Sequence, residues 1–306
     1  MKENRIAIID LGTNTFNLVI AEKASEGHTI LHQERIAAKM GVGGINHSHI
    51  TSGGIDRVIQ ALKKLKIVIE SWQVTNIKAF GTSALRSAKN GIELVEKIYL
   101  ETGIEVKIIS GEEEAELIYK GVRTAVPLGP AKSLIVDIGG GSVEFIIGNE
   151  TEVFWKQSFE IGGQRLLERF QHHDPILKTE LGQIQTFLEE SLIPLIHELK
   201  IHQPQTIVGS SGSFDTLSEI YCLQQGLPFS SQLETPLTIQ GFKSIFMELL
   251  EKDRTERLAM PGMIEMRVDM IVVASCLIHF LLLKHTFKNL RVSSYSLKEG
   301  VLASLH

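Results

Sequence analysis

The chain is 306 residues long, 43% hydrophobic and 22% charged, and its 31 Lys and Arg against 36 Asp and Glu give a formal net charge of −5. At about 150 residues per domain, that length predicts two ordinary domains or one large one, and no charge block or Pro/Ser-rich tract reads as disordered. The acidic balance argues against a chain whose main task is gripping nucleic acid or an acidic membrane, so a polyanionic ligand has to be held locally.

The N-terminus leads into only four apolar residues before Asp10, too few for a signal-peptide core. Residues 5–21 read as strand, acid, small-residue turn and strand, a hairpin with Asp10 closing its first strand. The spacing of Ile55, Val58, Ile59, Leu62, Leu65 and Ile69 predicts a helix over 54–72. Apolar residues ahead of Gly81 predict a strand, and helices follow over 92–101 and 112–122. Pro and Gly over 122–130 mark a linker. Residues 132–148 repeat the hairpin, and a helix over 177–199 carries Pro194 as a kink. The apolar stretch 270–283 reads as a buried helix, being well short of the ~20 residues a membrane span needs. Cys222 and Cys276 are the only cysteines and form neither a disulfide framework nor a CxxC site. A cytoplasmic chain with reduced thiols and no membrane segment is expected.

The two hairpins match at a shift of 127 residues, with Asp10 on Asp137, Gly12 on Gly139, Thr15 on Ser142, Leu18 on Phe145 and Ile20 on Ile147. Ala79-Phe-Gly-Thr-Ser83 and Ile207-Val-Gly-Ser-Ser211 match at 128. Two echoes at nearly one shift imply a duplication, so domains are expected at 1–125 and 126–306, with the last helix free to pack back on the first. Strands alternating with helices give an α/β class, and each hairpin adds an antiparallel pair, so each domain is expected to hold a mixed five-stranded sheet with helices.

A strand that ends in Asp and turns through Gly and hydroxyl residues can offer backbone N–H groups to a phosphate while the carboxylate holds a metal or water. The candidates are Asp10, Gly12, Thr13, Asn14 and Thr15 in the first turn, and Gly139, Gly140, Gly141 and Ser142 in the second. Asp137 and Glu144 share one face beside the second turn. Ser110 and Glu113 have the spacing of a capping box, which accounts for Glu112 and Glu113 and leaves Glu114 one step further in. Arg86, after a Gly-Thr-Ser turn, could neutralise a phosphate. Arg267 and Asp269 read as a couple that caps and pairs at a helix start. His47 with His49, and His172 with His173, lack a third metal ligand in sequence and read as loop residues.

Several motifs stand together: Asp10-Leu-Gly-Thr-Asn-Thr15, Gly81-Thr-Ser-Ala-Leu-Arg-Ser-Ala-Lys-Asn90, Ser110-Gly-Glu-Glu-Glu-Ala115 and Asp137-Ile-Gly-Gly-Gly-Ser142 with Glu144. Gly162-Gly-Gln-Arg-Leu166, Gly209-Ser-Ser-Gly212, Pro261-Gly-Met263 with Arg267 and Asp269, and Ser293-Ser-Tyr-Ser-Leu-Lys-Glu-Gly300 complete the set. Over nearly its whole length the chain thereby resembles the exopolyphosphatase and guanosine pentaphosphate phosphohydrolase family, in the actin-like ATPase and sugar-kinase superfold. The resemblance implies two similar ribonuclease H-like domains with the active-site cleft between them. It implies a hydrolase that releases terminal orthophosphate from inorganic polyphosphate by metal-assisted attack of water. In that reading Glu114 is the general base, and Asp137 and Glu144 hold Mg²⁺ or Mn²⁺ directly or through water. The two turns, Arg86 and the stretch Gly209, Ser210, Ser211 and Gly212 contact phosphate. Three rival readings remain: a guanosine pentaphosphate 5′-phosphohydrolase, an ATP-dependent small-molecule kinase, and a catalytically silent sensor of phosphate compounds.

The chain departs from that family's usual pattern at Asn17, where a basic residue is common, at Val143 in place of Thr, and at Lys298 in place of Arg. Longer members continue into a helical domain that 306 residues cannot contain. With Arg86, Arg165, Lys298 and the two turns as the only readable contacts, short polyphosphates and release after few cleavages are expected. A longer basic track would have to come from the partner of a homodimer.

Overall fold

A computed structural model describes residues 4–25, 27–228 and 232–305. They divide into two compact units, one holding the described residues up to Gly121 together with those from Leu297 onward, the other Val122–Ser296.

In the first unit β1 (Arg5–Leu11), β2 (Thr15–Lys23) and β3 (His28–Ala37) form an antiparallel meander. After α1 (Ser52–Ser71), β4 (Asn76–Gly81) returns parallel to β1. Then α2 (Ser83–Ser87) and α3 (Gly91–Thr102) lead to β5 (Val106–Ile108), parallel to β4, and to α4 (Gly111–Ala125). The sheet order is β3-β2-β1-β4-β5. β1 is buried on both faces apart from Arg5 and Asp10, which is why it reads as an unbroken apolar run, whereas edge strand β3 alternates with solvent. α1 starts two residues before its expected position because Thr51 caps it, its side chain accepting the Gly54 N–H at 3.1 Å.

The second unit repeats the plan. β6 (Ser133–Ile138), β7 (Val143–Gly148) and β8 (Val153–Phe159) form the meander, followed by α5 (Gly163–Phe170), α6 (Lys178–Ser191) and α7 (Ile193–His202). β9 (Thr206–Ser210) is parallel to β6, and after α8 (Gly212–Gln225), β10 (Glu234–Thr235), α9 (Ile239–Glu251), α10 (Arg254–Leu258) and α11 (Ile271–Lys284), β11 (Asn289–Ser293) is parallel to β9. The order is β10-β11-β9-β6-β7-β8. The final helix α12 (Leu297–Ala303) belongs to the first unit, where Gly300 abuts the Leu117 carbonyl of α4 so closely that no Cβ would fit.

Two mixed sheets of the actin-like kind are therefore present, but the second has six strands and not five. The extra strand β10 is two residues long and has no sequence pattern. It is pinned to β11 by the Arg291 guanidinium, which grips the Glu234 carboxylate at 2.7 and 2.6 Å. Pro194 does not kink one long helix. It sits in the first turn of α7, where a missing N–H costs nothing, and the break falls at Leu192. The linker is shorter than expected, since α4 runs on to Ala125 with Val122 and Ala125 buried.

α11 is buried on nearly every side, and among the described residues no helix is long and apolar enough to cross a membrane. Cys222 and Cys276 are both buried and unpaired, and burial pushes the Cys276 thiol up to about 12. The His172–His173 loop has a structural task. Burial would raise the Glu180 carboxyl, yet His173 at 2.9 Å and the backbone N–H groups of Leu177 and His172 outweigh it and hold the group down to about 2. A carboxyl lowered from 4.5 to about 2 adds stability that is complete above pH 4.5 and lost as pH falls toward 2. Denaturant melts of wild type and Glu180→Gln are expected to differ most above pH 4.5 and to converge toward pH 2.

Candidate active site

In each unit the candidates gather at the C-terminal ends of the parallel strands, where open α/β sheets bind ligands. In the first unit Leu11 pairs with Gly81 and Gly81 with Ile108, so β1, β4 and β5 end level. From these ends spring the Gly12–Thr15 turn, α2 with Arg86 and α4 with Glu114. The Arg86 guanidinium donates to Glu114 Oε2 at 2.8 Å and to the Ile109 carbonyl at 3.2 Å, with the Glu114 side chain 9% exposed. Capping takes its share of the acidic triplet as expected: Ser110 Oγ accepts the Glu113 N–H at 3.1 Å. The Glu113 carboxylate, however, pairs with Lys107 at 2.5 Å instead of returning to the cap.

The first turn is clamped by its carbonyls. Gly41 N–H donates to Thr13 O at 2.9 Å and Lys39 N–H to Asn14 O at 2.8 Å. In a planar trans peptide the carbonyl and the next N–H point opposite ways, so the N–H groups of Asn14 and Thr15 face away from the clamping segment. Thr13 is 3% exposed, and its Oγ1 has no hydrogen-bond partner among the described residues. Asp10 Oδ2 accepts from Asn17 Nδ2 at 3.0 Å, and Asn17 Oδ1 in turn accepts from Arg35 Nε at 3.1 Å.

The second unit clamps its turn in the same manner with different parts. The first N–H groups around α5 reach into it, Gly162 to Gly141 O at 3.0 Å, Gly163 to Gly139 O at 2.9 Å and Gln164 to Gly140 O at 2.8 Å. Arg165 adds Nε to Gly141 O at 2.9 Å while its Nη2 holds Glu160 at 2.8 Å. The N–H groups of Gly140, Gly141 and Ser142 consequently face away from α5, an amide cradle suited to an anion. Gly162 is obligatory here, because a Cβ would lie 2.5 Å from the backbone carbons of Gly140 and Gly141. Gly162→Ala is expected to cost on the order of 1–3 kcal/mol of stability and, by displacing the turn, at least about tenfold in kcat/KM. Thermal melts and steady-state kinetics of the purified variant check both.

Asp137, 6% exposed, faces Glu144, 1% exposed, across β6 and β7. Asp137 Oδ2 accepts Ser210 Oγ at 2.7 Å and also the Ser296 hydroxyl, and Glu144 Oε1 accepts Ser158 Oγ at 2.6 Å. Two adjacent carboxylates oriented by hydroxyls fit a hard cation that takes oxygen ligands and completes its shell with water and phosphate. Among the described residues no group of three or more His, Cys, Asp and Glu could hold a metal by itself. Ser211, between Ser210 and α8, has φ 74° and ψ 171°, backbone space that residues with a Cβ rarely enter and that clusters at functional sites.

Arg267 and Asp269 do not form the expected couple. Asp269 takes Arg254 at 2.7 Å, whereas the Arg267 guanidinium lies against Gly212, where a Cβ would approach Nη2 to 2.0 Å. Its segment is anchored by the buried Arg257, which holds Asp174 and the Lys252 carbonyl, each at 2.6 Å. Sequence reasoning also missed Ser158, which is visible only once β8 is paired with β7, and Arg35, which is visible only once β3 is paired with β2.

Comparison with known proteins supplies the family. Residues 19–306 match the model of the Ppx/GppA phosphatase family. The crystal structure of an exopolyphosphatase from Cytophaga hutchinsonii is 43% identical, with a TM-score of 0.95 over 98% of this chain and 97% of that one. A Ppx/GppA family member from Aquifex aeolicus is 29% identical, with a TM-score of 0.78 over 98% of this chain and 96% of that one. A chain that the family model matches from residue 19 to residue 306, and that these two structures match over 98% of its length, belongs to the Ppx/GppA phosphatase family.

Proposed function

We propose that the chain is an exopolyphosphatase that removes terminal orthophosphate from inorganic polyphosphate. The observation that carries this reading is the pair of turns whose carbonyls are drawn back and whose amides face the other way. The likeness to the Cytophaga hutchinsonii exopolyphosphatase supports the substrate class.

Phosphoryl transfer asks for positioning and charge neutralisation more than covalent chemistry. The turn amides, with the Thr13 hydroxyl, hold phosphate oxygens. Arg86 swings from Glu114 to a phosphate oxygen, which frees Oε2 to take a proton from water. The water oxygen bonds to the terminal phosphorus, the bond to the bridging oxygen breaks, and that oxygen leaves on the shortened chain. A divalent cation held by Asp137 and Glu144 supplies charge neutralisation on the phosphate when bound. Ser210, Ser296 and Ser158 keep those two carboxylates oriented.

Orthophosphate release from polyphosphate, guanosine pentaphosphate and ATP, compared side by side with Mg²⁺, tests the reading. Release from polyphosphate is expected to be fastest. Release from guanosine pentaphosphate alone would make the chain a 5′-phosphohydrolase, and transfer from ATP to an acceptor would make it a kinase.

A further inference from the structure

In the second unit α6 and α9 both pack on α11 and leave a gap between themselves. Ile184 and Leu188 of α6, Phe246 and Leu250 of α9, and Cys276 and Phe280 of α11 face into it, each pair at the i, i+4 spacing that puts two side chains on one face of a helix. The gap is a cavity of about 260 Å³. Close-packed interiors leave few voids larger than a water molecule, and an apolar cavity of about 150 Å³ already takes a benzene ring. The one thiol in its wall, Cys276, is buried, and burial pushes it up to about 12, so the sulfur carries no charge. Met247 and Leu283 line the cavity while more than half exposed, so it reaches solvent. None of the lining belongs to the turns or the acids of the candidate active site.

The polar groups at the mouth select the charge of a ligand. The His279 ring lines the cavity and stacks on Phe246, with the centroids 4.6 Å apart. Burial and the nearby Lys243 ammonium both push its pKa down, so at neutral pH the imidazole is uncharged and keeps one N–H to donate. Lys243 is exposed on α9, one turn ahead of Phe246 and Met247 and therefore on their face of the helix. Among the described residues it pairs with no acid. Lys284, beside Leu283, is by contrast held by Glu189. A single positive charge with a neutral donor next to it, over an apolar cavity, complements a molecule with an apolar tail and one anionic head.

We propose that the cavity between α6, α9 and α11 binds a medium-chain fatty carboxylate, its tail among Ile184, Leu188, Phe246 and Phe280 and its head between Lys243 and the His279 N–H. The inference goes beyond the exopolyphosphatase reading and does not rest on it, because no group of the phosphate site takes part.

Calorimetric titration of the whole protein with decanoate, kept below its micelle concentration, tests the site. Saturable binding of one decanoate per chain is expected, with the negative heat-capacity change of a buried tail. Octanoate is expected to bind about tenfold more weakly, because it buries less methylene. Decyltrimethylammonium, with the same tail and the opposite charge, is also expected to bind about tenfold more weakly. Lys243→Gln should weaken decanoate about two- to fivefold and narrow the difference between the two head groups. Met247→Glu sets a carboxylate i, i+4 from Lys243; it should weaken decanoate about tenfold and turn the preference toward the cation. Both positions are exposed, so thermal melts and orthophosphate release without decanoate should match wild type. The absence of saturable decanoate binding to the folded wild-type protein would overturn the proposal. So would equal binding of the two head groups that Lys243→Gln leaves unmoved. A wild-type protein that excludes decanoate and forms dimers that Met247→Glu disperses would make the cavity an interface between two copies, and would overturn it as well.

Discussion

Glu114→Gln is expected to lower kcat by about 10² or more while KM stays within a few fold, because a general base acts chiefly in the transition state. The substitution is nearly isosteric, and the amide oxygen can still accept from Arg86, so the fold of α4 and the place of Arg86 should survive. Glu113→Gln removes only an exposed pairing with Lys107, worth about 1 kcal/mol or less, and leaves the Ser110 cap on its N–H intact. Steady-state kinetics on the two variants side by side separate the neighbours. An inactive Glu113 variant beside an active Glu114 variant would move the base by one residue and dismiss the assignment.

Excess chelator is expected to abolish orthophosphate release, and Mg²⁺ or Mn²⁺ to restore it, since Asp137 and Glu144 offer only oxygen. Asp137→Asn should raise the concentration of metal needed for half-maximal rate and lower the maximal rate by about 10² or more. It replaces an anion at the meeting point of two hydroxyls with an amide. Full activity in excess chelator would take the metal role away from both residues.

Much of this was legible in the sequence because duplication leaves a trace that a single turn does not. Asp10 on Asp137 and Gly12 on Gly139 located both hairpins; capping accounted for Glu112 and Glu113, and the family resemblance, not the residues alone, singled out Glu114. The rest depended on contacts between distant strands. β10 is too short for any periodicity and exists because Arg291 clamps Glu234. Arg267 looked like half of a local ion pair, since spacing alone does not reveal that Gly212 leaves room for its guanidinium. Arg35 carried no motif at all. Its position beside Asn17, on the sheet face of Asp10, follows from the β2–β3 register, which a change of one residue would send to the other face.

The central claim is that the chain directs water onto the terminal phosphorus of a condensed phosphate. Hydrolysis of polyphosphate of one defined length in water labelled with heavy oxygen, followed by mass analysis of every product early in the reaction, tests it most directly. The account predicts orthophosphate carrying one labelled oxygen per molecule, together with unlabelled chains shorter by one unit. Label in the shortened chains, or fragments from internal cleavage, would contradict it.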